Sequence, residues 1–289
     1  MEISLERSAL IDSVIDSYLA DHPEMPDRWL LEQTILTSGS WRGLLRLLAV
    51  EAGWTVADVG TGFGALALEL AAQAKVSVTG VDTDSEKLQV ARELAAMLAE
   101  EEAFVAGPPV FQSGDAHDLG FDDESFDLAV ARLVFQYLAD PQAAADELFR
   151  ILRPGGFVCA QEVDDQLSIT YPEVSDAFAR LHEAFVEGSR LRGEDRYAGR
   201  KLSTWFESAG FEIVATLVWP QAVHGPSSPD DIARRFDVAR LLQAREQIVA
   251  AGLMAAQDFD EALELYATED FPGQFRCVGQ IVVLGRRPQ

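Results

Sequence analysis

The sequence predicts an α/β fold in which a mainly parallel sheet is flanked by helices. Three observations carry that prediction. From residue 56 onward, short apolar runs alternate with helical periodicity, the rhythm of successive strand–helix–strand units. The stretch Val-Ala-Asp-Val-Gly-Thr-Gly-Phe-Gly-Ala at 56–65 places three glycines at every second position between a strand and a helix. The chain has 289 residues, 48% hydrophobic and 25% charged, enough for one sizeable core, and no apolar run approaches the ~20 residues needed to cross a bilayer.

In chain order, residues 3–20 and 27–50 read as amphipathic helices, with Leu30, Leu31, Thr34 and Ile35 and then Leu44, Leu45, Leu47 and Leu48 at helical spacing. Strands are predicted at 56–59, 76–81, 110–112, 126–131, 157–163, 211–219 and 278–284, and helices at 64–74, 85–102, 141–152 and 199–209. Asp140 and Pro141 suit the cap and first turn of the third of these helices. Arg-Pro-Gly-Gly at 153–156 ends it. Two segments break the rhythm, 164–198 and 222–275; the second contains a helix at about 229–250 and a loop at 224–231. Connections in compact α/β units are usually short. These segments are therefore insertions in a single 1–289 domain, and with the helices of 1–50 they are expected to form a lid over a substrate.

The formal net charge is −25. A phosphate backbone would be repelled, so nucleic-acid partners are disfavoured. The first residues, MEISLERSAL, lack the basic and apolar regions of a secretory leader, so neither membrane nor export is expected and a cytoplasmic location is. Cys159 and Cys277 are expected to be free thiols. No Cys and His pair has metal-ligand spacing.

Gly60, Gly62 and Gly64 supply the positive φ values of a tight strand-to-helix turn and let a ligand approach the backbone. The helix that follows offers free N–H groups and partial positive charge. Gly60-x-Gly62-x-x-Ala65 satisfies a loose dinucleotide fingerprint, and Asp82 lies near the ~20-residue spacing at which a carboxylate takes ribose hydroxyls. Thr83 with Glu86 can form a capping box beside it. Asp58, inside an apolar strand end, is awkward beside a pyrophosphate but suits a cationic ligand. Asp115 lies at the tip of the third strand, where it can accept from an adenine amino group. Three carboxylates on successive strand ends, with no Lys or Arg in the glycine loop, fit S-adenosylmethionine better than a nicotinamide dinucleotide.

With these features the sequence resembles the class I S-adenosylmethionine-dependent methyltransferases. The resemblance runs through VADVGTGFGALALELA, VTGVDTDSEKL, SGDAHDLGFDDESFDLAVARLVFQYLADP, ELFRILRPGG and ESAGFEIV. It covers 54–163 closely and 199–221 more loosely. It implies a Rossmann-like seven-stranded sheet of order 3-2-1-4-5-7-6 with the last strand antiparallel. It also implies that Gly60, Gly62 and Gly64 bracket the methionine part of the cofactor near Asp58, that Asp82 and Thr83 take the ribose, and that Asp115 and Ala116 take the adenine. Arg132 matches a position lining the site near the sulfonium, where a smaller residue is often found. It can grip a carboxylate of cofactor or substrate.

Methyl transfer is an in-line displacement that asks mostly for alignment and exclusion of water, worth roughly 7–11 kcal/mol. His182, on a helical stretch, and Asp164 and Asp165, with Glu162 at the end of the fifth strand, are the candidate bases or substrate contacts. Two arginine groups, Arg190, Arg192, Arg196, Arg200 and Lys201, then Arg234, Arg235, Arg240 and Arg245, either pair with surface carboxylates or bind an acidic substrate group. The expected function is methylation of an oxygen or nitrogen atom of a small molecule, by a monomer or homodimer. A peptide or protein carboxylate as acceptor, an NAD(P)-dependent reductase and a non-catalytic cofactor-binding scaffold are the alternatives.

Overall fold

The computed structural model describes residues 3–289 apart from 47, 49, 228–231 and 270. Strands β1 (Thr55–Val59), β2 (Ser77–Asp82), β3 (Val110–Ser113), β4 (Phe126–Arg132), β5 (Leu152–Tyr171), β6 (Glu212–Ser227) and β7 (Phe271–Arg286) form one sheet in the order β3-β2-β1-β4-β5-β7-β6. The first five are parallel, and β7 runs antiparallel to both neighbours. The expected strand order and direction are met. In β1 the residues Val56 and Ala57 are fully buried, as an interior parallel strand covered on both faces requires.

Helices α1 (Leu5–Asp21), α2 (Arg28–Leu36), α3 (Ser38–Leu45), α4 (Ala65–Gln73) and α5 (Ser85–Glu100) precede β3, while α6 (Pro141–Ile151) packs on β5 and α8 (Leu202–Ala209) packs on α6, β6 and β7. Ile11, Ile15, Trp41 and Leu45 of α1 and α3 share one apolar cluster with α4 and α5; Leu148 of α6 and Phe206 of α8 lie in another with the strands. Asp140 caps α6 by accepting the Ala143 N–H at 3.1 Å. The predicted Thr83–Glu86 box is replaced: Asp84 caps α5, its Oδ1 accepting the N–H groups of Glu86 and Lys87.

The single helix expected over 27–50 divides at Thr37 into α2 and α3. Thr37 turns its hydroxyl back onto the Gln33 carbonyl at 2.8 Å, a local bond that competes with helix continuation. Helix α1 packs on α4 and α5, while α2 packs on α9 (Ile232–Ala250). The predicted loop at 224–231 begins as strand, with β6 continuing to Ser227; residues 228–231 lie outside the described residues. Helices α7 (Asp176–Leu191), α9 and α10 (Ala256–Thr268) have a small core of their own around Leu181, Leu241, Ile248 and Phe259. Helix α10 was not expected from the sequence. Cys159 is buried and Cys277 half-buried, both as free thiols.

Candidate functional site

One cavity of about 1340 Å³ runs from the carboxyl ends of β1, β2 and β4 to the space enclosed by α2, α7, α9 and the outer half of β7. This is where open α/β sheets bind ligands, at the point where strand order reverses. It exceeds the several hundred Å³ of an ordinary small-molecule pocket, leaving room for two ligands end to end.

At the sheet end, Gly60, Gly62 and Gly64 all have positive φ, +70°, +54° and +80°, but they face different things. A Cβ at Gly60 would lie 2.3 Å from Val134, and one at Gly64 would lie 2.7 Å from the Phe111 ring. A Cβ at Gly62 would meet nothing within 4 Å. Gly60 and Gly62 line the cavity and Gly64 does not. The Gly64 position is thus fixed by packing against Phe111 and Ala91. Asp82 holds the loop, its Oδ2 accepting the Gly62 N–H at 2.8 Å and its Oδ1 the Asp84 N–H at 3.0 Å. Thr83, Asp115 and Ala116 line the same end. The Asp115 carboxylate accepts the His117 backbone N–H at 2.9 Å and meets its ring Nδ1 at 2.6 Å, which holds Asp115 below the usual carboxylate range.

Asp58 is buried at 2% exposure and accepts the Thr61 hydroxyl at 2.6 Å. Burial pushes its carboxyl up to about 6, opposed by that hydroxyl and by Arg132. Arg132 also lines the cavity, and burial lowers it to about 10 against the pull of Asp58 and Glu162. Its guanidinium makes no described hydrogen bond or ion pair, only a contact over the Trp41 ring at 5.9 Å. Leu133, the next residue, has φ +60°, and strain of this kind persists where surrounding structure fixes a functional turn.

Along β5 the side chains alternate. Val163 and Asp165 face the cavity; Glu162 and Asp164 face away from it. Asp164 is therefore removed from the candidate bases: it is buried at 2% exposure and held by Arg200. Asp165 reaches the cavity, but Arg196 binds it through Nε at 2.9 Å and Nη2 at 2.8 Å. His182 on α7 also lines the cavity, and burial keeps it below its ordinary pKa, so its imidazole is neutral near pH 7. Sequence reasoning missed Gln136, which donates to Glu162 at 3.2 Å and accepts from Arg196 at 2.7 Å, joining sheet to cover. A lone Gln in a 3₁₀ turn gives no sequence signal.

Glu162 is fully buried, and desolvation raises it to about 7 against backbone N–H groups at Val163 and the 134–136 turn. Because the folded state holds this proton more tightly than the unfolded chain, the carboxyl favours folding below its ordinary 4.5, and that advantage is lost as pH rises through 7. Glu162→Gln is expected to remove the slope. Urea unfolding from pH 4.5 to 7.5 should show the stability difference moving by about 3 kcal/mol toward the variant at high pH. A difference that does not change with pH would mean Glu162 is ionised in both states.

Residues 57–160 match the family described as a methyltransferase domain. An uncharacterised 37.1 kDa protein in transposon TN4556 of Streptomyces fradiae is 32% identical over 231 residues, covering 78% of this chain and 59% of that protein. The O-methyltransferase resE of Aspergillus sclerotiorum is 31% identical over 167 residues, covering 58% of each. The chain spans about three fifths of the length of these curated relatives. The solved structure of a phosphoethanolamine N-methyltransferase 2 from Haemonchus contortus, in complex with S-adenosyl-L-methionine, shares the fold at a TM-score of 0.53 and 18% identity, over 95% of this chain and 60% of that one. Among the described residues no helix is long and apolar enough to cross a membrane.

Proposed function

We propose that this chain, which belongs to the class I S-adenosylmethionine-dependent methyltransferases, carries a methyl group to an oxygen or nitrogen atom of a small molecule held under α2, α7, α9 and α10. The observation that carries the reading is the pairing of Asp58 and Arg132. They are two opposite charges at one end of the cavity, Asp58 buried and Arg132 half-buried, each pushed toward its neutral form by desolvation, and no hydrogen bond between them is described. A zwitterionic amino-acid group fits between them, its ammonium toward Asp58 and its carboxylate toward Arg132. Open space at Gly62 admits the chain that follows. Asp82 retains lone pairs for ribose hydroxyls, and Asp115 and Ala116 lie where adenine would be held.

When bound, S-adenosylmethionine supplies a methyl carbon made electrophilic by its sulfonium. The protein's own part is alignment and exclusion of water, with the cover helices closing the acceptor end. Neutral His182 can take a proton from a hydroxyl as the new bond forms. Asp165 is less suited, because its lone pairs are engaged by Arg196. An oxygen acceptor is favoured by the O-methyltransferase name of a relative and by a neutral imidazole in the wall.

The test is turnover with S-adenosylmethionine labelled in its methyl group, against a panel of phenols, carboxylic acids and amines. Label recovered in a small-molecule product is the expected result. Tight nicotinamide dinucleotide binding without S-adenosylmethionine binding would replace this reading with a reductase. Cofactor binding with no transfer to any class would leave a scaffold.

A further inference from the structure

Among the described residues, the guanidinium groups at the far end of the cavity are unequally paired. Arg196, Arg240 and Arg276 line it together with Asp165, Asp237 and His182. Arg196 is bound bidentately by Asp165. Arg276 lies 2.7 Å from Asp237, whose carboxylate also accepts the Tyr266 hydroxyl at 2.9 Å. That leaves Arg240, whose Nη2 is 3.6 Å from Asp237, too far for a hydrogen bond. Its Nε is buried without a partner. His182 adds no charge near pH 7. Among the described residues, Arg240 is thus the guanidinium of these three with no carboxylate within hydrogen-bonding distance, in a chain whose net charge is −25.

The surroundings of Arg240 hold its guanidinium against aromatic rings, with Asp237 at the longer distance. Its guanidinium lies over the Phe185 ring at 4.6 Å and the Phe236 ring at 5.4 Å. Burial and the like charges of Arg196 and Arg276 lower its pKa, against the pull of Asp237 and Asp165. A second orphan donor lines the same cavity: the side-chain amide Nε2 of Gln274, itself buried at 8% exposure. Gln274 and Arg276 are two residues apart on β7 and so share one face of the sheet. Unpaired buried donors of this kind are costly, and they are met either by water or by a ligand's acceptor atoms.

We infer that this end of the cavity is a subsite for one carboxylate of the methyl acceptor, with Arg240 as its principal contact and Gln274 as a second donor, so that the acceptor is a small organic acid with an aromatic or otherwise apolar body. The inference rests on the methyltransferase reading and names its substrate class. A guanidinium with no close carboxylate suits a planar two-oxygen anion. The rings of Phe185, Phe236, Trp29 and Tyr266 around it provide for the apolar body.

The test compares 2-naphthoate with its neutral isostere 2-naphthamide by calorimetry, on protein saturated with S-adenosylhomocysteine. The acid is expected to bind at least 10-fold more tightly than the amide. In Arg240→Gln that preference should fall to within 2-fold, with S-adenosylhomocysteine affinity unchanged; Arg240→Lys, which keeps the charge, should retain part of it. Equal binding of acid and amide to the wild-type protein, or no binding of the acid, overturns the inference without needing any variant. So does a preference that survives Arg240→Gln, or one lost instead in Arg132→Gln. Failure of S-adenosylhomocysteine itself to bind would strike the methyltransferase reading instead, and that is measured separately in the same cell.

Discussion

Gly64→Val is expected to cost about 3–5 kcal/mol of stability, the sum of a left-handed backbone forced on a branched residue and overpacking against a ring. The physical cause is local. At φ +80°, a Cβ at position 64 would lie 2.7 and 2.8 Å from atoms of the Phe111 ring and 3.0 Å from the Ala91 methyl, so helix α4 could not keep its distance from β3 and α5. Against a total stability of roughly 5–15 kcal/mol, that is a large fraction. Gly62→Ala makes the contrast. Its methyl enters open space, so the stability loss should be confined to about 1–2 kcal/mol of backbone strain, while cofactor affinity falls because that space is where the cofactor chain is proposed to lie. Urea unfolding paired with calorimetry checks both. A stable Gly64→Val protein that merely fails to bind would place Gly64 among the cofactor contacts the sequence suggested.

Asp82→Ala is expected to weaken S-adenosylmethionine binding at least 100-fold. Its carboxylate receives two backbone N–H groups, those of Gly62 and Asp84, which fix the glycine turn against the start of α5. Charged hydrogen bonds of this sort contribute roughly 1.5–3 kcal/mol each, and the proposed ribose contacts would be lost with them. Asp82→Asn, retaining one acceptor oxygen, should fall between. Calorimetry reads the affinity directly, and circular dichroism shows whether the fold survives. Undiminished binding by Asp82→Ala would place the cofactor away from β2.

The parallel half of the molecule was legible because its central strands β1 and β4 are buried along nearly their whole length and its elements are bounded by turn signals, as at Gly60 and Asp140. The gathering of Asp58, Asp82 and Asp115 at one cavity was legible too, since each follows an apolar strand run that the parallel order brings to the same sheet end. The acceptor half was harder to read. Strand β5 was expected to stop at 163, because Asp164 and Asp165 look like a solvated tip; in fact each has an arginine partner, and the pleat sends them to opposite sides. Helix α10 has Ala255 at its N-cap and so no side-chain cap, although Phe259, Ala262, Leu263 and Tyr266 hold helical spacing and could have revealed it. The pairing of Arg196 with Asp165 and of Arg276 with Asp237 depends on elements far apart in the chain. Local pattern therefore cannot show which arginine is left over.

Strand β7 lies between β5 and β6 but follows both in the chain, and this has a consequence for biosynthesis. While β6 leaves the ribosome, its only partner in the sheet has not yet been made, and its apolar positions Val214, Val218 and Val223 stay more than half exposed even when folded. Until β7 emerges, the nascent protein carries an open edge on β5 and a loose apolar strand, the two features that invite pairing with other chains. Translation pausing, chaperone capture or a premature stop in the stretch between β6 and β7 would act on that vulnerable stage. The far end of the cavity, walled in part by β7, is accordingly completed only once β7 has joined the sheet.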